Sequence, residues 1–212
     1  PAGCGARYAG RMNRHELIDR FGLDLPVVAA PMFIVSQLDL VKACCDHGII
    51  GTFPALNQRT SEGFDAWLSE LGAHFAAFEQ ANGRRPPPYG VNLIVHRTNP
   101  RVQADLEICV KHRVPIVITS LGAVKELVDA VHGYGGLVFH DVTTVRHAKK
   151  AIGAGVDGLI LVTAGAGGHA GTANPFALIN AIRSFWDGVI LLGGSVSTGR
   201  DVAAALQMGA DL

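Results

Sequence analysis

The segment VDGLILVTAGAGGHAGTAN, residues 156–174, decides how the rest of the chain is read. Residues 158–162 form an apolar run too short for a helix and bounded by glycines, which predicts a buried strand. The run opens into a loop of Gly and Ala in which His169 is the single titratable side chain. Glycines at 165, 167, 168 and 171 let the backbone turn freely and let a flat or anionic ligand come close. One imidazole in such a loop is what proton transfer near neutral pH would use. Taken alone, the loop reads as a surface turn with a hydrogen-bonded histidine. Its neighbours reverse that preference.

Working outward, similar apolar runs predict strands at 26–33 (PVVAAPMF), 49–53, 89–95, 115–120, 137–140 and 188–192, and 210–212 would begin another. Helices are predicted between them at 38–47, 64–81, 124–132, 144–152, 175–186 and 198–208, with one more opened by Asn99-Pro100 and a lead-in helix at 15–21. Ser36, with Asp39 three residues on, is expected to cap helix 38–47. The strands are continuous apolar runs rather than alternating ones, which means a parallel sheet covered by helices. Seven such units and the start of an eighth predict an α/β protein with the (β/α)8 TIM-barrel fold, ending as its eighth strand begins. The rival is an open doubly wound sheet, and the G-x-G-x-x-G that would favour it is absent after the first strand. Residues 1–14 read as a loosely held arm and 15–212 as one barrel domain. The chain does not begin with Met and stops on entering a strand, so it is expected to be a fragment.

Composition narrows the class. Hydrophobic residues make up 49% and charged residues 17%, and 18 acidic side chains balance 18 basic ones. With no basic run, nucleic acid and anionic membrane surfaces are not expected partners. The N-terminus lacks the apolar core of a signal peptide, and Cys4, Cys44, Cys45 and Cys109 form no CxxC pair. A reducing, cytoplasmic setting is the expectation.

In a barrel, ligands meet the carboxyl ends of the strands. That rule selects Pro31 and Met32, then Asn92 and His96, Thr119 and Ser120, His140 and Asp141, the His169 loop, and Gly193-Gly194-Ser195 ahead of a helix start near Ser197-Thr198. The last group suits phosphate, because free N–H groups at a helix N-terminus point at an anion and glycines let it approach. His96, His140 and His169 at one mouth, beside Asp141, raise the question of a metal, but no two share the spacing of a zinc pair. His15, His47, His74, His112, His132 and His147 fall in or beside predicted helices and are expected at the surface.

With these residues in hand, the chain resembles the nitronate monooxygenase (2-nitropropane dioxygenase) family of FMN-dependent TIM barrels, to which flavin-dependent enoyl reductases are close. The likeness runs from about Leu25 to the end through AAPM (29–32), GVN (90–92), HDVTTVRHAKKAIGAGVDGLI (140–160), AGGHAG (166–171) and GGSVSTGR (193–200). The resemblance implies an FMN-dependent oxidoreductase that oxidises alkyl nitronates or nitroalkanes with O2. It implies His169 as the base; Ala30, Pro31, Met32 and Asn92 against the flavin; Gly167 and Gly168 close to its rings; and Gly193, Gly194 and Ser195 on its phosphate. His140 and Asp141 fall at the flavin's pyrimidine edge, where some members carry Lys at the position of Asp141, a reversal of charge. Two alternatives stay open: an NAD(P)H-dependent FMN reductase of enoyl thioesters or quinones, and a flavin-binding protein without turnover. Small-molecule substrate and O2 are the expected partners, with a homodimer the expected assembly.

Overall fold

The computed structural model describes residues 14–122, 124–168 and 170–212. Helix α1 (Arg14–Phe21) precedes strands β1 (Val28–Ala29), β2 (Ile50–Pro54), β3 (Tyr89–Ile94), β4 (Ile116–Ser120), β5 (Leu137–Val142), β6 (Gly158–Val162) and β7 (Val189–Gly193). Helices α2 (Leu38–Asp46), α3 (Ser61–Asn82), α4 (Val102–Lys111), α5 (Lys125–His132), α6 (Val145–Gly153), α7 (Pro175–Arg183) and α8 (Gly199–Met208) follow the strands in turn, one per strand. All neighbouring strands are parallel and lie in sequence order from β1 to β7. The arm expected at 1–14 lies outside the described residues except for Arg14, which already belongs to α1.

The pleat sends alternate side chains to opposite faces. Outward ones such as Phe53, Val91, Val117, Val138, Leu159 and Ile190 pack beneath the helices against Leu68, Cys109, Val131 and Ile179. Inward ones from β2, β4, β5 and β7, including Ile50, Ile118, Phe139 and Leu191, meet in a second cluster closed by Leu17 of α1 and Leu23. Strands so far apart in order can share one cluster only if the sheet curls around it. Burying each of these large side chains stabilises the fold by roughly 1.5–3 kcal/mol. The curl is that of the α/β barrel, here with seven parallel strands. Residues 210–212 run along β7, where Asp211 N donates to Ile190 O (2.7 Å) and Leu192 N to Leu212 O (3.0 Å), the place expected for an eighth strand.

Three local expectations change. The first strand, expected over 26–33, pairs only at Val28 and Ala29. Pro26 and Pro31 lack an N–H to give, and β1 pairs with β2 alone. Gln37 rather than Ser36 stands at the N-cap of α2. Ser36 is buried instead, with its Oγ accepting from Met32 N (2.9 Å) and donating to Ala30 O (3.4 Å). Strand β5 runs two residues past 140, so Asp141 belongs to the strand. Cys44, Cys45 and Cys109 are free thiols on α2 and α4, and no described helix is long and apolar enough to cross a membrane.

Candidate functional site

At the carboxyl ends of the strands the inner surface turns from apolar to polar. Asn92 on β3, Ser120 on β4 and Asp141 on β5 all point inward, continuing the faces of Ile116, Ile118, Leu137 and Phe139. The Asn92 side-chain amide donates to Ser120 Oγ at 2.7 Å, and Ser120 Oγ in turn donates to Asp141 Oδ2. These residues line a cavity of about 1120 Å³ that reaches the loops after β6 and β7. Burial pushes the Asp141 carboxyl up to about 6, against the opposing pull of the Ser120 hydrogen bond. It is the one carboxylate among the described lining residues.

His140, its neighbour in the chain, also borders the cavity but turns its ring the other way. Its Nδ1 shares a hydrogen bond with Thr119 Oγ1 (2.7 Å) on the outer face, and only 7% of the residue is exposed. Burial, with the nearby charges of His147 and Lys150 on α6, lowers its pKa to about 4, so it is neutral at pH 7. His147 was expected at the helix surface. It is exposed, but with Lys150 it also lines the cavity, its Nδ1 3.1 Å from Thr143 Oγ1. The signal was the i, i+3 spacing of these two in the first turns of a helix that starts at a strand's carboxyl end.

Of the other expected residues, Ala30, Pro31, Gly167, Gly168, Gly193, Gly194 and Ser195 line the cavity. Met32 does not. The turn that carries it is held by Asn57, whose Nδ2 donates to Met32 O and Ser36 O, and the residue is 41% exposed. His96 is also outside the lining, turned to Thr98 in its own loop. His169 lies outside the described residues. The loop that carries it is tied at its base, with Ala164 N on Ala173 O (2.9 Å) and Gly171 N on Val162 O (3.2 Å).

The two glycine loops pack on each other. A Cβ at Gly165 would collide with Ser195 Oγ, and one at Gly194 (φ +131°) would lie 2.6 Å from Thr163 Oγ1. At Gly167 and Gly168 a Cβ would meet nothing within 4 Å, which leaves that surface open to a ligand. The amides of Ser197 and Thr198, expected to be free for an anion, both donate to Asp201 Oδ2 in a capping box at the start of α8. Among the described residues no hydrogen bond engages the amides of Gly194, Val196, Gly199 and Arg200, so the unengaged amides sit on either side of the cap.

Apolar residues rim the cavity, with Phe33 at 66% and Leu121 at 63% exposure. Ile34, Leu121 and Ser195 hold left-handed backbone at this end (φ 68°, 67° and 56°). Each costs on the order of 1–3 kcal/mol, and such strain gathers at ligand sites. No group of His, Cys, Asp or Glu able to hold a metal ion occurs among the described residues. A smaller depression of about 350 Å³ lies between α1 and residues 206–211. Its Arg183 is already bound to Gly209 O and Asp211.

A profile of the nitronate monooxygenase family matches residues 55–211. A (3aS,4S,5R,7aS)-5-hydroxy-7a-methyl-1-oxo-octahydro-1H-indene-4-carboxyl-CoA dehydrogenase of Mycobacterium tuberculosis is 25% identical, over 93% of this chain and 53% of its own. A nitronate monooxygenase of Neurospora crassa is 28% identical, over 87% and 57%. The chain thus spans about half the length of these curated relatives. The solved nitroalkane oxidase of Streptomyces ansochromogenes superposes with a TM-score of 0.78 over 92% of this chain and 65% of that one; at 23% identity this speaks for the fold.

Proposed function

Because the chain belongs to the nitronate monooxygenase family, we propose that its cavity binds FMN and that the protein oxidises alkyl nitronates or nitroalkanes with O2. The observation that carries this reading is the cavity at the carboxyl ends of the strands, where an amide, a carboxyl group and two glycine loops converge. Its residues fit a flavin mononucleotide. About 1120 Å³ is room for a flat tricycle and a small substrate. The side chain of Asn92 supplies a polar contact for the ring. Open space over Gly167 and Gly168 suits the ring face. The unengaged amides of Gly194, Val196, Gly199 and Arg200 suit the phosphate. FMN, when bound, would accept an electron pair from the substrate and pass it to O2. The chain's own residues would orient the two ligands and keep water out through the apolar rim. His169 is proposed as the base that takes the proton beside the nitro group, a role that rests on the family resemblance.

A second reading is favoured by one specific observation. Helix α6 carries Arg146, His147, Lys149 and Lys150, and two of these line the cavity. Such a cationic margin suits the phosphates of a CoA thioester, and the Mycobacterium tuberculosis relative is named as a carboxyl-CoA dehydrogenase. In that case the same flavin site would serve an NAD(P)H-linked reaction of a thioester.

One experiment separates these. The protein is loaded with FMN, freed of excess, and mixed without oxygen with ethyl nitronate or with NADPH. Bleaching of the flavin absorbance by nitronate is the expected result. Bleaching by NADPH alone would replace it with the reductase reading, bleaching by neither would leave a binding protein without turnover, and failure to take up FMN would overturn all three.

A further inference from the structure

The cavity contains a carboxyl group that the roles above do not use. Asp141 is held from one side only. Ser120 Oγ accepts from the Asn92 amide and donates its one proton to Asp141 Oδ2. Oδ1 has no hydrogen-bond partner among the described residues, while the residue lines the cavity. The chain of three therefore fixes the carboxyl group and leaves its second oxygen to the ligand.

We propose that Asp141 is a proton-exchanging group that holds a proton while an anion occupies the cavity, donating it in a hydrogen bond from Oδ1. No bond to carbon changes: one proton moves from solvent to the carboxylate as the anion enters and returns to solvent as it leaves. The inference rests on the cavity being the ligand site, as proposed above.

The surroundings favour this. From β3 the neighbour is Asn92, from β4 Ser120, and from β6 and β7 the apolar Ile160, Val162 and Leu191. None of these can neutralise a second negative charge. Of the basic residues in the lining, His147 and Lys150 stand on α6, and His140, which also borders the cavity, turns its ring to Thr119 on the outer side of the strand. The described residues of the loop after β6 carry no charge. Burial already holds the carboxyl group near 6, and an anion beside it would raise it further. At neutral pH the empty site is mostly ionised, so binding an anion draws in a proton. Two anions share this chemistry: an anionic substrate, and a flavin carrying negative charge after reduction.

The test has two parts. Carboxyl carbon NMR of the flavin-free protein follows the Asp141 titration, with and without ethyl nitronate. The expected midpoint is near 6, absent in Asp141→Asn and moved upward in Ser120→Ala, which removes a hydrogen bond that favours the charged form. Proton uptake by the FMN-loaded protein is then measured on adding ethyl nitronate and, separately, on photoreduction without substrate. Each is taken as the excess over a free-FMN control, because flavin reduction and the nitronate themselves consume protons. Uptake should approach about one proton per site at pH 7 and fall to roughly a tenth of that at pH 5, where the group is already protonated. The arm that shows uptake identifies the anion. Asp141→Asn should abolish it. Titration of Asp141 in the ordinary carboxylate range, or uptake unchanged in Asp141→Asn, would overturn the proposal. If no FMN binds, the flavin reading fails by itself, and the NMR titration with ethyl nitronate still decides the role of Asp141.

Discussion

His140 and Asp141 are adjacent, face opposite sides of one strand, and are displaced in opposite senses by the same cause, burial. A histidine lowered to about 4 in the fold binds fewer protons than its unfolded counterpart, which titrates near 6.5, so stability is present above 6.5 and is lost as pH falls toward 4. A carboxyl group raised to about 6 binds more protons than its unfolded form at 3.8, so stability is present below 3.8 and is lost as pH rises toward 6. In the wild type the two largely cancel between pH 4 and 6.5. Urea unfolding should therefore show Asp141→Asn losing stability on acidification through this window, and His140→Gln gaining it, each by at most about 3 kcal/mol. Parallel profiles for both variants would mean that the two groups are not buried as described. Sequence marked both residues by their place at a strand end. It could not say that they face apart, because the strand was expected to stop at 140 and Asp141 to lie in a loop, where alternation has no meaning.

At the scale of elements, one device recurs. Asp157, just before β6, accepts Val138 N of β5 at Oδ2 (2.7 Å), and His132 Nε2 approaches the same atom (2.8 Å). Asp211, after β7, accepts Ile190 N (2.8 Å) and Arg183 Nη2 (2.6 Å) in the corresponding place. Each carboxylate satisfies a strand's first free N–H and ties the preceding helix to it. Asp157→Ala should cost about 1–3 kcal/mol in chemical denaturation, because it leaves a buried N–H without a partner. Asp157→Asn, whose carbonyl oxygen can still accept, should recover most of that. The repeat was visible in sequence as Gly-Val-Asp and Gly-Ala-Asp after two helices, but its purpose was not. Cross-links between helices are similar. His74 with Asp46 and His112 with Asp65 join α2 to α3 and α3 to α4, where periodicity alone placed surface histidines.

For the molecule as a whole, the pairing order predicts where it opens first. The interior strands β3, β4, β5 and β6 each have two neighbours, while β1 pairs by two residues with β2 alone. Amide exchange should be slowest in Val91, Val117, Phe139 and Leu159 and at least about tenfold faster at Val28 and Ala29, since edge backbone opens without breaking the core. Equal protection across β1 and β4 would contradict this topology. Sequence by itself determined the number, order and parallel direction of these strands, because a strand buried on both faces must be apolar along its length and must alternate with a helix. It also determined at which end of the strands the cavity was expected. Only the tertiary structure decided which side chains meet there. It brought Asn92, Ser120 and Asp141 into one hydrogen-bonded chain, set His140 behind the strand, added His147 and Lys150, and left Met32 and His96 out. Those outcomes depend on the stagger between neighbouring strands and on where each strand ends, which are settled by packing across the barrel rather than by any run of residues along the chain.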